Sequence, residues 1–179
     1  MIRWALIVGA TALGAGTACA DERSASLVDS FRGFCGSELP TLSRIDAKAT
    51  AEKLPVNIDT RTAAGPEGYF NHTKSWWVSL ATGPHELVAG EARGPAGDVA
   101  SCAITATDPQ GEEVKQDLMK AMNIGPPQRE AVSPDGMRRS SAWRIQLESE
   151  NVILLLMDAT PTNSPGIVLN LMRRPAAGP

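Results

Sequence analysis

Apolar positions along the chain change their period several times, and each change marks an element. Leu27, Val28, Phe31, Phe34 and Cys35 recur at helical spacing within residues 21–39, which predicts an amphipathic helix with one face to bury. Asp21 and Glu22 suit its positive N-terminal end, and Gly36 is a ready stop. A shorter helix is predicted over residues 44–53, opened by Ser43 and Asp46 as a capping-box-like pair and ended by Pro55. Residues 55–74 are polar and rich in turn formers (Asn57, Gly65-Pro66, Gly68, Asn71), and read as a long, mobile surface loop.

The period then falls to two. Trp76, Val78 and Leu80 alternate with Trp77, Ser79 and Ala81, which predicts a strand over residues 75–82. Turns at Gly83-Pro84 and at Gly94-Pro95-Ala96-Gly97-Asp98 separate it from strands over 86–92 and 99–107, giving a three-stranded meander. On the last of these, Ala100, Cys102, Ile104 and Ala106 share a face. Asp108-Pro109 predicts a helix start, Val114, Leu118, Ala121 and Met122 supply its stripe, and Gly125-Pro126-Pro127 stops it.

Three or four strands follow. Residues 130–132 lead into the turn Ser133-Pro134-Asp135-Gly136. Trp143, Ile145 and Leu147 alternate with polar partners, and residues 152–157 are apolar throughout, as expected of a strand covered on both faces. Residues 167–172 make the last strand. The expected fold is therefore α+β: an antiparallel sheet of six or seven strands covered by helices, with two similar helix-plus-three-strand halves as its suggested plan. No residue-level repeat stands out to support that plan.

The first twenty residues belong to a different kind of segment. Arg3 precedes about a dozen apolar or small residues, and Ala18-Cys19-Ala20 then leads to Asp21. That is the order of a cleavable secretory signal, with Ala18 and Ala20 as the small residues signal peptidase needs and Asp21 as the new N-terminus. The run is too short to span a bilayer, which takes about 20 residues of helix. Cys19 offers a second outcome: lipidation, which would tether the product to a membrane. Its sequence context favours plain cleavage, since Gly16 stands where a lipoprotein signal usually carries Leu. The expected organisation is thus a signal over 1–20 and one globular domain over 21–179. No transmembrane span is expected in that domain, because the most apolar run ends at Asp158 after the length of one strand.

Composition narrows the function classes. Of 17 basic residues only Arg3 lies in the leader, so the remainder carries 16 basic against 20 acidic residues, a net charge of −4. A nucleic-acid partner needs a positive footprint and is not expected. Aromatics at 4% leave little for stacking platforms. If Cys19 leaves with the signal or takes lipid, Cys35 and Cys102 remain, and two cysteines in an oxidising compartment are most simply one disulfide. Cys35 lies on an apolar helix stripe and Cys102 on an apolar strand face, so a helix laid on the sheet brings them together.

Candidate chemistry is thin. His72 and His85 are the only histidines, no HExxH or CxxC is present, and neither metal nor cofactor is expected. There is no GxSxG, GxGxxG or P-loop. Glu112-Glu113 and the Glu148/Glu150 pair sit where solvated carboxylates are expected. Met119 and Met122, at helical spacing beside Val114 and Leu118, read as core rather than as copper ligands. Asn71-His72-Thr73 matches a short glycosylation sequon. Trp76-Trp77 is the pair with functional content: neighbours on a strand face opposite ways, and by the pattern Trp77 is the exposed one, a candidate binding anchor.

Phe31-Arg32-Gly33-Phe34-Cys35, the tryptophan strand at Trp76-Trp77 and the later strand Cys102 together resemble a group of short exported proteobacterial proteins, some with lipoprotein signals. The likeness spans most of residues 21–179. It implies a periplasmic or secreted address and the disulfide, and carries no activity with it. The expected function is a non-catalytic exported domain binding another envelope component, a protein or small ligand, through its sheet face or the 55–74 segment. The alternative is an envelope hydrolase whose carboxylates assemble only in three dimensions.

Overall fold

The computed structural model describes residues 18–64, 69–80, 83–94, 97–107, 111–159 and 166–174. The apolar run of the expected signal, the Asp108-Pro109 helix start and most of the loop after residue 159 lie outside them. Three helices and eight strands follow in order: α1 (Ala18–Phe31), a π-helical turn (Arg32–Gly36), α2 (Leu42–Ala51), β1 (Val56–Ala64), β2 (Tyr69–Leu80), β3 (Gly83–Arg93), β4 (Val99–Ala106), α3 (Gly111–Met122), β5 (Arg129–Val132), β6 (Arg138–Leu147), β7 (Glu150–Ala159) and β8 (Ile167–Arg173). The class is α+β, with one antiparallel sheet of eight strands rather than six or seven, in the order β1-β2-β3-β4-β8-β7-β6-β5.

The largest correction falls on residues 55–74. Residues 56–64 and 69–74 are strand rather than loop, with β1 paired to β2 from Val56↔Trp76 to Ala64↔Tyr69, and residues 65–68 of the expected loop lie outside the described residues. β1 escapes a periodicity reading because it is the sheet edge. Val56 through Thr62 are all exposed, so burial imposes no alternation. Its backbone hydrogen bonds to β2 make it a strand.

The long first helix is also shorter than its stripe suggests. α1 stops at Phe31 and the chain widens into the π turn, which directs Phe34, Cys35 and Gly36 inward together.

One core lies between the helices and a single face of the sheet. Leu27, Val28 and Phe31 of α1, Ile45 of α2 and Val114 and Leu118 of α3 join alternate strand residues such as Trp76, Leu87, Cys102, Ile104, Trp143, Leu154 and Leu169. The intervening residues look the other way, where none of the described helices lies. β7 shows the consequence. Val152, Leu154 and Leu156 are buried, while Ile153, Leu155 and Met157 are only half-buried. The expectation that this run is covered on both faces does not hold, and its continuous apolar character needs another explanation.

The strand order reads alike inward from both edges, and the register makes the correspondence residue by residue. Trp76 pairs with Leu87, and Trp143 pairs with Leu154. Leu87 pairs with Ile104, and Leu154 with Leu171. Each second pair lies 67 positions after the first (143 − 76, 154 − 87, 171 − 104). Buried positions on the two helices that precede the halves also match in spacing: Leu42, Ile45 and Ala49 in α2, then Gly111, Val114 and Leu118 in α3. Each half contains four strands, not the expected three. Ala103 pairs with Asn170, its own counterpart at the same offset (170 − 103), so the local twofold passes between them, normal to the sheet.

β6 and β7 are joined through two residues. Glu148 and Ser149 there have φ of 49° and 70°, the type I′ geometry that fits the twist of a hairpin. Non-glycine residues adopt it at a cost. Glu148 offsets that cost by accepting from Arg44 Nη1 at 2.6 Å and from the Leu39 amide at 3.3 Å, tying the turn to α2 and to the segment before it.

Candidate functional site

Two places hold the chemistry that could do work. The first is a cavity of about 310 Å³ where the N-terminus of α3 meets β5, β6 and β7. Its three carboxylates are all paired, though by two cations only. Lys115 Nζ lies 2.7 Å from Glu112 and 3.2 Å from Glu130, Ser141 Oγ donates to Glu130 at 3.1 Å, and Arg139 meets Asp158 at 2.9 Å. The hydrogen bond from Lys115 holds the Glu112 carboxyl below the usual carboxylate range, and the same bond raises Lys115. Glu112 is thereby held as the anion, the wrong form for a proton donor near neutral pH.

Asp158 also explains why α3 begins with glycine. A Cβ at residue 111 would overlap the Asp158 side chain. In the first half, the counterpart carboxylate Glu91 accepts from the Leu42 amide at 2.9 Å, at the start of α2. The two acids are 67 apart (158 − 91), so each half sets a carboxylate of its third strand against the first residue of its helix. Gly111→Ala is expected to destabilise the fold by about 1–3 kcal/mol. Asp158→Ala should recover much of that loss in the double variant. Urea melts of the four proteins in the cycle measure the coupling, and additive losses would show that the two positions do not collide.

The histidines take no part in this cavity. His72 Nε2 lies 2.9 Å from Asp59 on the outer strands, and this hydrogen bond lowers the Asp59 carboxyl. His85 is 3% exposed on the core side of β3, where burial lowers its pKa and favours the neutral ring. Among the described residues no group of three or more His, Cys, Asp or Glu side chains is placed to hold a metal ion.

The second place is the helix-free face of the sheet. One row of it runs across six strands through Ser75, Val88, Ala103, Asn170, Leu155 and Ala142, each paired with the next. Ile153, Met157, Val168 and Met172 flank the row. Trp77 stands at the β2 end, 43% exposed, beside Ile58 at 47%. The charges at its two ends differ: Glu86 on β3 in the first half, and Arg129, Arg138 and Arg144 on β5 and β6 in the second.

Two polar atoms interrupt this apolar band. Among the described residues, Ser75 Oγ and Asn170 Oδ1 are the buried side-chain oxygens without a hydrogen-bond partner. Both lie in the central row. An unsatisfied buried polar atom costs about 1–3 kcal/mol, and both of these lie beneath the surface of the face rather than on it.

Other expected site residues fall as follows. Cys35 and Cys102 stand at disulfide distance, with Cα atoms 5.4 Å apart. Ala18, Cys19, Ala20 and Asp21 open α1. No described helix is long and apolar enough to cross a membrane. Sequence reasoning missed Asn170 and the apolar row, although the unbroken run at residues 152–157 was their visible trace. No protein-family model, no curated protein and no solved structure matches the chain.

Proposed function

We propose that this chain is a non-catalytic exported domain that docks another component of the cell envelope on the helix-free face of its sheet. The carrying observation is that face itself: a mostly apolar, half-buried row across six strands, with Trp77 exposed at its end. Contiguous apolar surface of this kind marks interaction sites more often than it survives on a free monomer. Export is supported by the leader-like order of residues 1–20 and by the disulfide-distance pair, which suits an oxidising compartment. Plain cleavage predicts a mature protein beginning at Asp21, and intact-mass measurement reads it directly.

The hydrolase reading has one observation in its favour, the meeting of Glu112, Glu130 and Asp158 at one cavity. Lys115 and Arg139 occupy those carboxylates, so the binding reading stands ahead.

The test uses Trp77. Being exposed, it contributes little to the core, so Trp77→Ala should leave the melting temperature within a few degrees of the parent. Losing an exposed aromatic anchor should weaken docking by about tenfold or more. A photo-reactive residue placed at position 77 in the producing cell should form one dominant adduct. Its failure to form any adduct, or unfolding on Trp77→Ala, would overturn the reading.

A further inference from the structure

The edge of the sheet at β1 is complementary to itself: we propose that it pairs antiparallel with β1 of a second copy of this chain, about a twofold axis beside Thr60, joining two eight-stranded sheets edge to edge. Nothing in this pairing depends on what docks on the helix-free face.

β1 ends the strand order and has a partner, β2, on one side only. Along its outer side, alternate residues present backbone donors and acceptors that no described strand pairs. Its nine residues extend about 30 Å, whereas β5 at the other edge has only four. Val56 through Thr62 are exposed, so no described helix covers the approach of another strand.

Charge selects the occupant and the register. Asp59 and Arg61 lie two apart, and so on one face of the strand. Charged residues at a sheet edge usually discourage pairing. Here their spacing makes one register favourable. With the axis normal to the sheet, the helix sides of the two copies stay together only if it is centred on a residue. Centring on Asp59 or Arg61 would set like charges opposite. Centring on Thr60 sets Asp59 of each copy opposite Arg61 of the partner subunit, two ion pairs from one symmetry operation. Thr60 is also the middle residue of Val56–Ala64, so the register that pairs the charges is the one with the longest overlap. On the other face, Thr60 meets Thr60 of the partner subunit and Ile58 meets the partner's Thr62, β-branched pairs that suit a sheet. The register shift in β1 falls between Val56 and Ile58, so residues 58–62 at the centre of the pairing are regular.

Both charges are presented for this contact. The Arg61 side chain is 70% exposed and that of Asp59 40%, and the 3.9 Å between them is too long for a hydrogen bond. Lys74, across from Asp59 on β2, is held instead by Asp46 of α2 at 2.6 Å. His72 meets Asp59 at 2.9 Å and Arg61 Nε at 3.2 Å, and so steadies both on the helix side of the edge.

An edge about 30 Å long and roughly 10 Å thick is smaller than the ~800 Å² per partner of a standard interface, so the dimer should be weak, with a Kd in the micromolar range. Sedimentation velocity from about 5 to 500 µM should pass from the chain mass towards twice that mass. Asp59→Arg and Arg61→Asp each turn both ion pairs into like-charge pairs, and each should weaken the dimer by about tenfold at low salt with the circular dichroism unchanged. The double variant restores opposite charges across the axis and should return to within about threefold of the parent affinity. Arg129→Asp, on the β5 edge, should leave the dimer intact. Hydrogen exchange reads the unaltered protein: protection over residues 56–64 should rise with concentration, while that of β5 stays constant. A chain that remains monomeric at the highest concentration overturns the inference. So does a double reversal no tighter than the single ones, or β1 exchange indifferent to concentration.

Discussion

Breaking the Cys35–Cys102 bridge is expected to cost about 4 kcal/mol of stability, the largest single loss among the covalent and surface changes considered. The bridged residues are 67 apart, and closing a loop of that length removes conformational freedom from the unfolded chain. The native side adds little offset, because Cys35 is 1% exposed and Cys102 fully buried, already held by the packing of the π turn on the central strand β4. Urea denaturation of the oxidised protein and of Cys35→Ala/Cys102→Ala reads the difference. Alanine is the better replacement, since serine would bury a hydroxyl in an apolar contact. For a chain of this size the loss corresponds to roughly 10 °C in melting temperature. A loss below about 1 kcal/mol would mean the bridge constrains nothing the packing does not already hold. Natural domains are stable by only about 5–15 kcal/mol, so a domain that depends on this bridge should be vulnerable to reductant.

The second large effect is expected at the two core tryptophans. Trp76 and Trp143 occupy equivalent positions in the two halves, each 1% exposed. Truncating either to alanine should cost about 3–5 kcal/mol through lost burial and the cavity left behind. Equivalent placement predicts losses of the same order on the two sides. Their surroundings differ in one respect that a gentler variant isolates. Trp143 Nε1 donates to the Gly125 carbonyl at 2.9 Å, fixing the segment after α3 against β6. Trp143→Phe keeps most of the volume and loses that bond, for about 1 kcal/mol beyond its packing change. Trp76 instead lies beneath Lys74, whose Nζ is 5.4 Å from the ring centroid and 2.6 Å from Asp46 of α2. Denaturant melts of the three variants decide. An alanine loss near zero at either position would show that its half of the core is not cooperative with the other.

Reliable reading from sequence was confined to segments where burial acts on one face of one element. Leu27, Val28 and Phe31 announce α1 because a helix must turn one stripe inward; Trp76 and Val78 announce β2 because a strand alternates. Trp77 is legible as the outward neighbour for the same reason. β1 was not legible, since an exposed edge strand has no buried face to write a pattern into its residues. The correspondence of the halves was not legible either. Few residues are shared between them; Trp76/Trp143, Leu80/Leu147 and Leu87/Leu154 emerge as equivalents only once pairing supplies a common register. Local similarity that sparse is hidden among the many apolar coincidences any core produces.

Asn170 makes the division plain. In the sequence it is one polar residue in an apolar strand, and nothing about its neighbours distinguishes it from an ordinary outward-facing side chain. Its central place depends on β4 and β8 meeting across 67 positions of chain, and its unsatisfied oxygen on what surrounds it there. The residues alone determine the helix and strand periods, the α+β class, the candidate leader and the presence of two cysteines to join, because each follows from local chemistry or from counting. The number of strands, the twofold plan, the ion-paired cavity at α3 and the apolar face belong to tertiary structure, because each arises from contacts between segments whose distance in sequence leaves no local trace.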